Sequence, residues 1–366
     1  MVEADRVVEA VMIQIYPTPS AGSQFACEVL CTTHAAGFAM TATPSNLHIK
    51  AIIMLLLTNL LWGVSFPLVK ALALLHAQIV PTAGTWFSTF YTVAPRFVLA
   101  ALILAFLQGR NCWRFTRPEL WQGMILGLFS AAGMLLQNDG LQFIAASTSA
   151  FLSQLYAIMI PVGLALYHRR NPGARVWVSC GFVIVGVAMI GRFDWQSFTF
   201  GRGEAETLLA SFFYMGQILS LGWARFAGNR AGKITLVMFS VQALIFSGLA
   251  GGAAPDMATL VLPWTSLPWF TLTLVLTVLC TVGAFSLMNA WQPKLSSTEA
   301  GLIYCMEPIF ASVMAMFMPA WFSIWAGINY ANETATWTIL FGGVLITGAN
   351  VFIQLRPPKL VLGQLT

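Results

Sequence analysis

Residues 297–319 read STEAGLIYCMEPIFASVMAMFMP, an apolar run whose only charged residues are Glu299 and Glu307. A helix needs about 20 such residues to cross the roughly 30 Å hydrocarbon core of a bilayer. The run is therefore predicted to span a membrane. It places one carboxylate, followed directly by Pro308, near the middle of the span.

The whole chain has the composition of a membrane protein. Of its 366 residues, 58% are hydrophobic and 8% are charged, whereas soluble domains carry about 25% charged residues. A soluble fold of this size would lack the polar surface it needs. The composition excludes a cytosolic enzyme, a disordered chain and a nucleic-acid-binding protein, and leaves an all-α polytopic membrane protein.

Ten apolar runs follow Lys50, separated by turn-forming or charged residues. We number them runs 1 to 10: residues 51–72, 87–108, 119–138, 145–167, 174–192, 204–224, 234–252, 267–290, 297–319 and 335–355. The shortest separation falls between runs 3 and 4, at Asp139-Gly140.

The positions of Lys and Arg predict the orientation. With the N-terminus inside, three basic residues lie on the outer side (Lys70, Arg192 and Arg202), and Arg96 lies within run 2. The positive-inside rule then places both termini in the cytoplasm of a multi-pass protein of the cell (inner) membrane. The inner side holds fourteen of the eighteen Lys and Arg residues of the chain: Arg6, Lys50, Arg110, Arg114, Arg117, Arg169, Arg170, Arg175, Arg225, Arg230, Lys233, Lys294, Arg356 and Lys359.

Residues 1–48 are predicted to be a poorly ordered N-terminal extension, and residues 357–366 a cytoplasmic tail. The acidic first residues do not fit a secretory signal peptide, and Met40 is a candidate start of the native protein. Within the extension, Cys27, Cys31 and His34 form a cluster whose spacing fits no common zinc site, so no metal site is predicted there.

Runs 1–5 and 6–10 are predicted to be two copies of one unit, at residues 49–193 and 201–356. The sequence contains two pairs of matching segments: Ser147-Thr148-Ser149-Ala150 with Ser297-Thr298-Glu299-Ala300, and the apolar stretch Gly181–Gly186 with Gly343–Gly348. Because five is odd, the second copy enters the membrane inverted, and equivalent loops carry opposite charge bias. Inverted repeats predict a binding site near the midplane between the copies. Chance similarity between apolar helices is the alternative.

Four stretches resemble a known family: Leu61-Trp62-Gly63-Val64-Ser65-Phe66, Ala94-Pro95-Arg96-Phe97, the segment from Gly140 to Pro161, and Met306-Glu307-Pro308-Ile309-Phe310-Ala311. Over about residues 51–355 the chain resembles the drug/metabolite transporter superfamily, in particular its EamA-like members. The resemblance implies a ten-helix carrier that exports small metabolites, commonly amino acids or related compounds. It also implies a cavity lined mainly by the helices of runs 1, 3, 4, 6, 8 and 9.

Glu307 is the leading candidate for chemistry. A carboxylate in mid-span costs roughly 2.5–3.5 kcal/mol on insertion scales, which makes function the default reading. We predict that it lines the cavity and carries a proton, although a structural carboxylate is an equal alternative. Pro161 and Pro308 are candidate hinges, since a proline disturbs the preceding turn of its helix.

Trp62, Gln154, Tyr214 and Tyr304 are predicted to face the cavity, although simple helix packing is the alternative for each aromatic ring. Arg96 is predicted to be a structural charge, with anion binding or pairing to Glu307 as alternatives. Asn138 and Asp139 are expected to cap helix three or to be solvated. The glycine pairs Gly181/Gly186 and Gly343/Gly348 are expected to allow close helix packing.

A secondary transporter that works by alternating access fits these features best, with proton coupling as an option. The alternatives are an intramembrane enzyme, and a channel or scaffold protein. The enzyme is disfavoured because common catalytic motifs are missing and all four histidines, including His76, are expected outside the spans. No cofactor and no metal are predicted. The expected partners are a small-molecule substrate and the lipid bilayer, not nucleic acid, with a homodimer as an open option.

Overall fold

The computed structural model describes residues 46–167, 173–190, 201–295 and 297–354. The predicted N-terminal extension, its cysteine cluster and the C-terminal tail therefore lie outside the described residues, apart from residues 46–48. Those three residues already belong to the first helix.

The described residues form helices and no strands. A π-helical segment at Leu276–Gly283 joins α10 to α11, and short 3-10 turns lie at Gly109–Trp113, Ala224–Phe226, Leu262–Thr265 and Gln292–Lys294. The α-helices are α1 Asn46–Ile79, α2 Thr85–Gln108, α3 Arg117–Gly140, α4 Ala146–Ser153, α5 Tyr156–Tyr167, α6 Ala174–Ile190, α7 Arg202–Leu221, α8 Ala231–Ala253, α9 Met257–Val261, α10 Leu267–Val275, α11 Ala284–Trp291, α12 Ser297–Tyr304, α13 Glu307–Ala315, α14 Met318–Ala326 and α15 Trp337–Gln354.

Each of the ten predicted runs falls on a helix or on consecutive helices. Run 4 is divided into α4 and α5, and run 8 corresponds to α10, the π-helical segment and α11. Run 9 contains α12, α13 and the first two residues of α14, which continues to Ala326. Runs 1, 2, 3, 5, 6, 7 and 10 correspond to α1, α2, α3, α6, α7, α8 and α15.

Several helices are long and apolar enough to cross a bilayer by themselves. Within the described residues these are five segments, Asn46–Ile79, Thr85–Trp113, Arg117–Gly140, Ala231–Ala253 and Leu267–Lys294. The pair α13 and α14, bent by 49°, raises the number to six if it is counted as one span. The protein is thus a multi-pass membrane protein.

The first helix is longer than the apolar run that predicts it. Its 34 residues correspond to about 51 Å at 1.5 Å per residue, so its ends extend beyond a bilayer core. His76 lies in its last turn and is fully buried beside the rings of Phe87 and Tyr91. His76 therefore belongs to the helix although it lies beyond run 1, because hydropathy detects only the apolar part of a helix that continues past it. Its expected position outside the membrane span stays a prediction.

Two helices are interrupted in mid-run. Gln154 and Leu155 separate α4 from α5, and Cys305 and Met306 separate α12 from α13. Pro308 occupies the second position of α13, where a missing backbone N–H leaves no helical hydrogen bond unmade. In run 4 the interruption precedes Pro161 by more than a turn, and Pro161 lies within α5.

The helices pack in pairs around two apolar clusters, a large one and a smaller one formed mainly by α4, α5, α6 and α15. The most extensive packing joins α2 to α8, α6 to α15, and α3 to both α7 and α8. Near the middle of the bundle α1 packs on α11 and α13, while α4 packs on α7 and α13. The largest fully buried side chains of the described residues include Trp269, Arg96, Tyr304, Phe97, Phe239 and Phe246.

The two ends of the bundle carry different polar networks. At the end where α3 begins, Arg230 donates to the Glu119 carboxylate at 2.6 Å and to the Arg114 carbonyl at 2.9 Å. At the opposite end, where α3 terminates, Arg202 forms an ion pair with Asp139. The loop between runs 2 and 3 and the loop between runs 6 and 7 therefore meet at one end of the bundle.

Candidate functional site

A cavity that is partly open lies where the interrupted helices meet α1, α3, α7 and α11. Six of its fourteen lining residues are aromatic and one is acidic. The lining residues are Trp62, Ser65, Phe66, Met134, Gln137, Ser153, Tyr156, Tyr214, Gln217, Ile218, Phe285, Met288, Tyr304 and Glu307.

Glu307 is the first residue of α13 and lies on the cavity wall, with 8% of its surface exposed. Its Oε2 accepts a hydrogen bond of 3.1 Å from Nε2 of Gln154, which lies in the interruption of run 4. The two interruptions are thus joined through these two side chains. The position at a helix N-terminus also favours negative charge, because the unpaired N–H groups of the first turn point toward it.

Trp62 and Tyr304 form part of the aromatic wall. The Trp62 ring centroid lies 5.4 Å from that of Phe285 and 5.9 Å from that of Tyr304. The Tyr304 hydroxyl donates to Oε1 of Gln292 at 2.7 Å, which fixes its ring against the wall. The Nε1 of Trp62 is buried and has no hydrogen-bond partner among the described residues.

Tyr214 lies opposite on α7, and its hydroxyl donates to Oε1 of Gln137 at 2.7 Å. Four of the five predicted cavity residues therefore line the cavity: Trp62, Tyr214, Tyr304 and Glu307. The fifth, Gln154, is not part of the wall and reaches the site through Glu307.

Close contact between α1 and α13 positions Trp62 beside Glu307. A Cβ on Gly63 would lie 2.6 Å from Cβ of Phe310 and 2.9 Å from the Ala311 nitrogen, so only glycine fits here. One turn earlier, Nδ2 of Asn59 donates to the Ile303 carbonyl at 3.1 Å. This bond satisfies a backbone oxygen next to the interruption of run 9 and ties α1 to it.

Arg96 is fully buried but is not part of the cavity wall. Its Nε donates to the hydroxyl of Thr281 in the π-helical segment, and its guanidinium lies 5.4 Å from the Phe97 ring centroid. Its Nη2 has no hydrogen-bond partner among the described residues. Within that part of the chain Arg96 forms no ion pair with Glu307, and its structural role stays a prediction.

Of the two roles expected for Asp139, capping helix three or being solvated, the second is wrong, because Asp139 is fully buried. It accepts from the Thr89 hydroxyl at 2.9 Å and pairs with Arg202 at the start of α7. The burial arises because α3 and α7 pack along their lengths, and the partner cation lies far away in sequence.

Sequence reasoning did not single out Gln137, Ser153, Tyr156 and Phe285 as lining residues. A mid-span amide such as Gln137 needs a polar partner, and this signal could have identified it. Ser153 could not be recognised in this way, because serine bonds its own helix backbone and is common in membrane helices. In the structure its hydroxyl donates to the Ala150 carbonyl at 2.9 Å.

Comparison with known proteins shows what this chain is similar to. Residues 49–192 match the model of the EamA-like transporter family. A protein of Archaeoglobus fulgidus described as an uncharacterized transporter is 25% identical over 304 residues, which cover 82% of this chain and 85% of that protein. A solved crystal structure shares the fold with a TM-score of 0.52 and 14% identity, covering 84% of this chain and 97% of the other. The resemblance inferred from the sequence is confirmed by the match of residues 49–192 to the EamA-like transporter family.

Proposed function

We propose that the protein is a secondary active transporter that exports a small metabolite by alternating access. The observation that carries the proposal is the cavity itself, which lies between two interrupted helices and contains a buried carboxylate. Carriers bind their substrates near the bilayer midplane with sparse polar groups, at points where helices are discontinuous. The architecture we propose has ten spans, arranged as inverted repeats at 49–193 and 201–356.

The pattern of helix packing supports the inverted repeat. When each run is exchanged with the run five places away, the contacts between runs 2 and 7, runs 5 and 10, and runs 4 and 9 map onto themselves. Three other extensive contacts have counterparts: runs 3 and 6 with runs 8 and 1, runs 1 and 9 with runs 6 and 4, and runs 3 and 7 with runs 8 and 2. A two-fold axis in the membrane plane would produce this pattern.

The interruptions support the same symmetry. The first halves of runs 4 and 9, α4 and α12, are both eight residues long and are followed by a two-residue interruption. The family match at 49–192 also has almost the bounds of the first proposed repeat. In addition, the contact between Arg230 and the Arg114 carbonyl is expected if both lie on the cytoplasmic side.

Glu307 is the group that we propose to carry the coupled proton. Within the described residues its only hydrogen bond is with the Gln154 amide, and no Lys or Arg side chain forms an ion pair with it. A carboxylate in such surroundings gains or loses a proton according to the side to which the cavity opens. Coupling follows if substrate release requires the other protonation state.

The test is a flux assay in proteoliposomes containing the purified protein, screened with amino acids and small metabolites with and without a pH gradient. We expect saturable, protein-dependent flux of at least one metabolite, accelerated by the gradient. Glu307→Gln should abolish gradient-driven flux at unchanged protein level, whereas Glu204→Gln, in the first turn of α7, is the matched acidic control. Flux no faster than in protein-free vesicles rejects the transporter, and equal rates with and without the gradient reject proton coupling.

A further inference from the structure

We infer that the cavity selects organic monocations, meaning amines or quaternary ammonium compounds with an apolar body, over anions and zwitterions. The inference rests on the proposed transport function and specifies its substrate class. The cationic group would contact Glu307, and the apolar body would pack among the aromatic rings. The argument rests on the charge of the wall, on aromatic rings over which no cation of the described residues lies, and on the position of the buried Arg96.

The charge of the cavity wall has one sign. Glu307 is the only charged residue among the fourteen that line the cavity, and none of the others is Lys, Arg or His. A buried charge needs a counter-charge or several hydrogen bonds, yet Glu307 has one hydrogen bond, from Gln154. A cationic ligand would supply the missing counter-charge, whereas an anionic ligand would bring a second carboxylate into the same low-dielectric space.

The ring faces of the cavity are not occupied by the protein's own cations. In the described part of the chain, Lys and Arg side chains lie over the rings of Trp86, Phe97, Phe115, Phe143, Trp291 and Phe352. None of these rings lines the cavity. No Lys or Arg of the described residues therefore lies over Trp62, Tyr304 or Phe285, and contacts between a ligand cation and such rings strengthen when the cation is removed from water.

A zwitterion such as an amino acid would need a second, cationic site for its carboxylate. The buried Arg96 does not provide that site, because it bonds Thr281 and lies outside the cavity wall. The wall offers a carboxylate ligand only neutral groups such as Ser65 and Gln217. The balance of charge on the wall thus favours an amine over the corresponding amino acid.

The test measures binding of four ligands that share a phenyl ring: 2-phenylethylamine, 2-phenylethanol, L-phenylalanine and 3-phenylpropionate. Binding to the full chain in detergent is followed by calorimetry, which needs no mutant. We expect the amine to bind about tenfold or more tightly than each of the others, a difference of about 1.4 kcal/mol. Equal or tighter binding of the acid, the alcohol or the amino acid overturns the inference, as does failure of the amine to bind.

Two pairs of variants locate the selectivity. Glu307→Gln should bring the amine to within about twofold of the alcohol, whereas Glu204→Gln should keep the wild-type preference. Trp62→Leu should weaken amine binding several-fold, whereas Trp321→Leu, which alters an exposed ring on α14, should not. Unchanged amine preference in Glu307→Gln also overturns the inference. Saturable flux of an anion or zwitterion in proteoliposomes would reject cation selectivity while leaving the transporter intact.

Discussion

Replacing Gly186 by alanine should separate α6 from α15. A Cβ at this position would lie 2.8 Å from the carbonyl oxygen of Gly342 and 2.8 Å from Cγ1 of Ile346, whereas ordinary contacts begin at 3.4 Å. The backbone oxygen cannot turn aside as a flexible side chain can, so the helices must move apart by about 0.6 Å. Forced overpacking of this kind costs about 1–3 kcal/mol.

Gly181 provides a matched control on the same helix, because a Cβ there would meet nothing within 4 Å. Gly181→Ala should be neutral or stabilising by up to about 1 kcal/mol, the difference in helix propensity between the two residues. Thermal unfolding in detergent, followed by intrinsic fluorescence, should give a midpoint for Gly186→Ala below both wild type and Gly181→Ala. Equal midpoints for the two alanine variants would refute the close approach of α6 and α15.

Three further outcomes follow from close contacts and ion pairs. Gly63→Ala should reduce flux about tenfold or more by displacing α1 from Glu307, since misplacement by about 1 Å can cost a hundredfold; wild-type flux would contradict the contact. Arg202→Gln should lower the thermal midpoint more than Asp139→Asn, because it leaves the buried Asp139 carboxylate without its cation, which costs about 1–3 kcal/mol of stability. A larger effect of Asp139→Asn would contradict the Arg202–Asp139 ion pair. Glu333 caps α4, since its carboxylate accepts a hydrogen bond from the Ala146 nitrogen at 2.6 Å. Glu333→Gln should weaken this cap by about 0.5–2 kcal/mol and speed amide hydrogen exchange in α4; unchanged exchange would contradict the cap.

The glycine pairs show how far sequence reasoning reaches into packing. Close packing was predicted for all four glycines, and Gly186 and Gly343 do lie against α15 and the Phe151 ring. Gly181 and Gly348 meet nothing within 4 Å, and the partner of Gly186 is Gly342. The sequence shows where a glycine is, but not which face of its helix meets a neighbour. Only the orientation of the helix decides which glycine lies in the contact.

Helix position could be predicted because apolar length determines it, but helix shape could not. The run 297–319 predicts one span, yet the chain forms α12 and α13 with an interruption between them, and α14, bent by 49° from α13, continues to Ala326. The π-helical segment at Leu276–Gly283 is similarly unpredicted. Side chains from other helices contact both places, Asn59 at the Ile303 carbonyl and Arg96 at the Thr281 hydroxyl, and such partners leave no local pattern.

The site was predictable where a residue type is costly in a membrane. Glu307, Gln154 and Tyr214 stand out because a polar group in a span needs a partner or a wet cavity, and each has such a partner in the structure. Apolar wall residues such as Met134 and Phe285 carry no comparable signal, since most residues of a span are apolar. Only the packing of α3 and α11 brings them to the cavity.

The helix interruptions and the cavity follow from one physical requirement. An interrupted helix leaves backbone groups without helical partners, which hydrocarbon does not tolerate and which a cavity or a protein interior does. Here Gln154 and Glu307, one at each interruption, bond each other beside the cavity. Because the backbone around them is already satisfied by turns and by Asn59, we expect the halves of runs 4 and 9 to pivot without losing helical hydrogen bonds. When a ligand occupies the cavity, the main polar change would then be that Glu307 gives up its hydrogen bond with Gln154 and contacts the ligand instead.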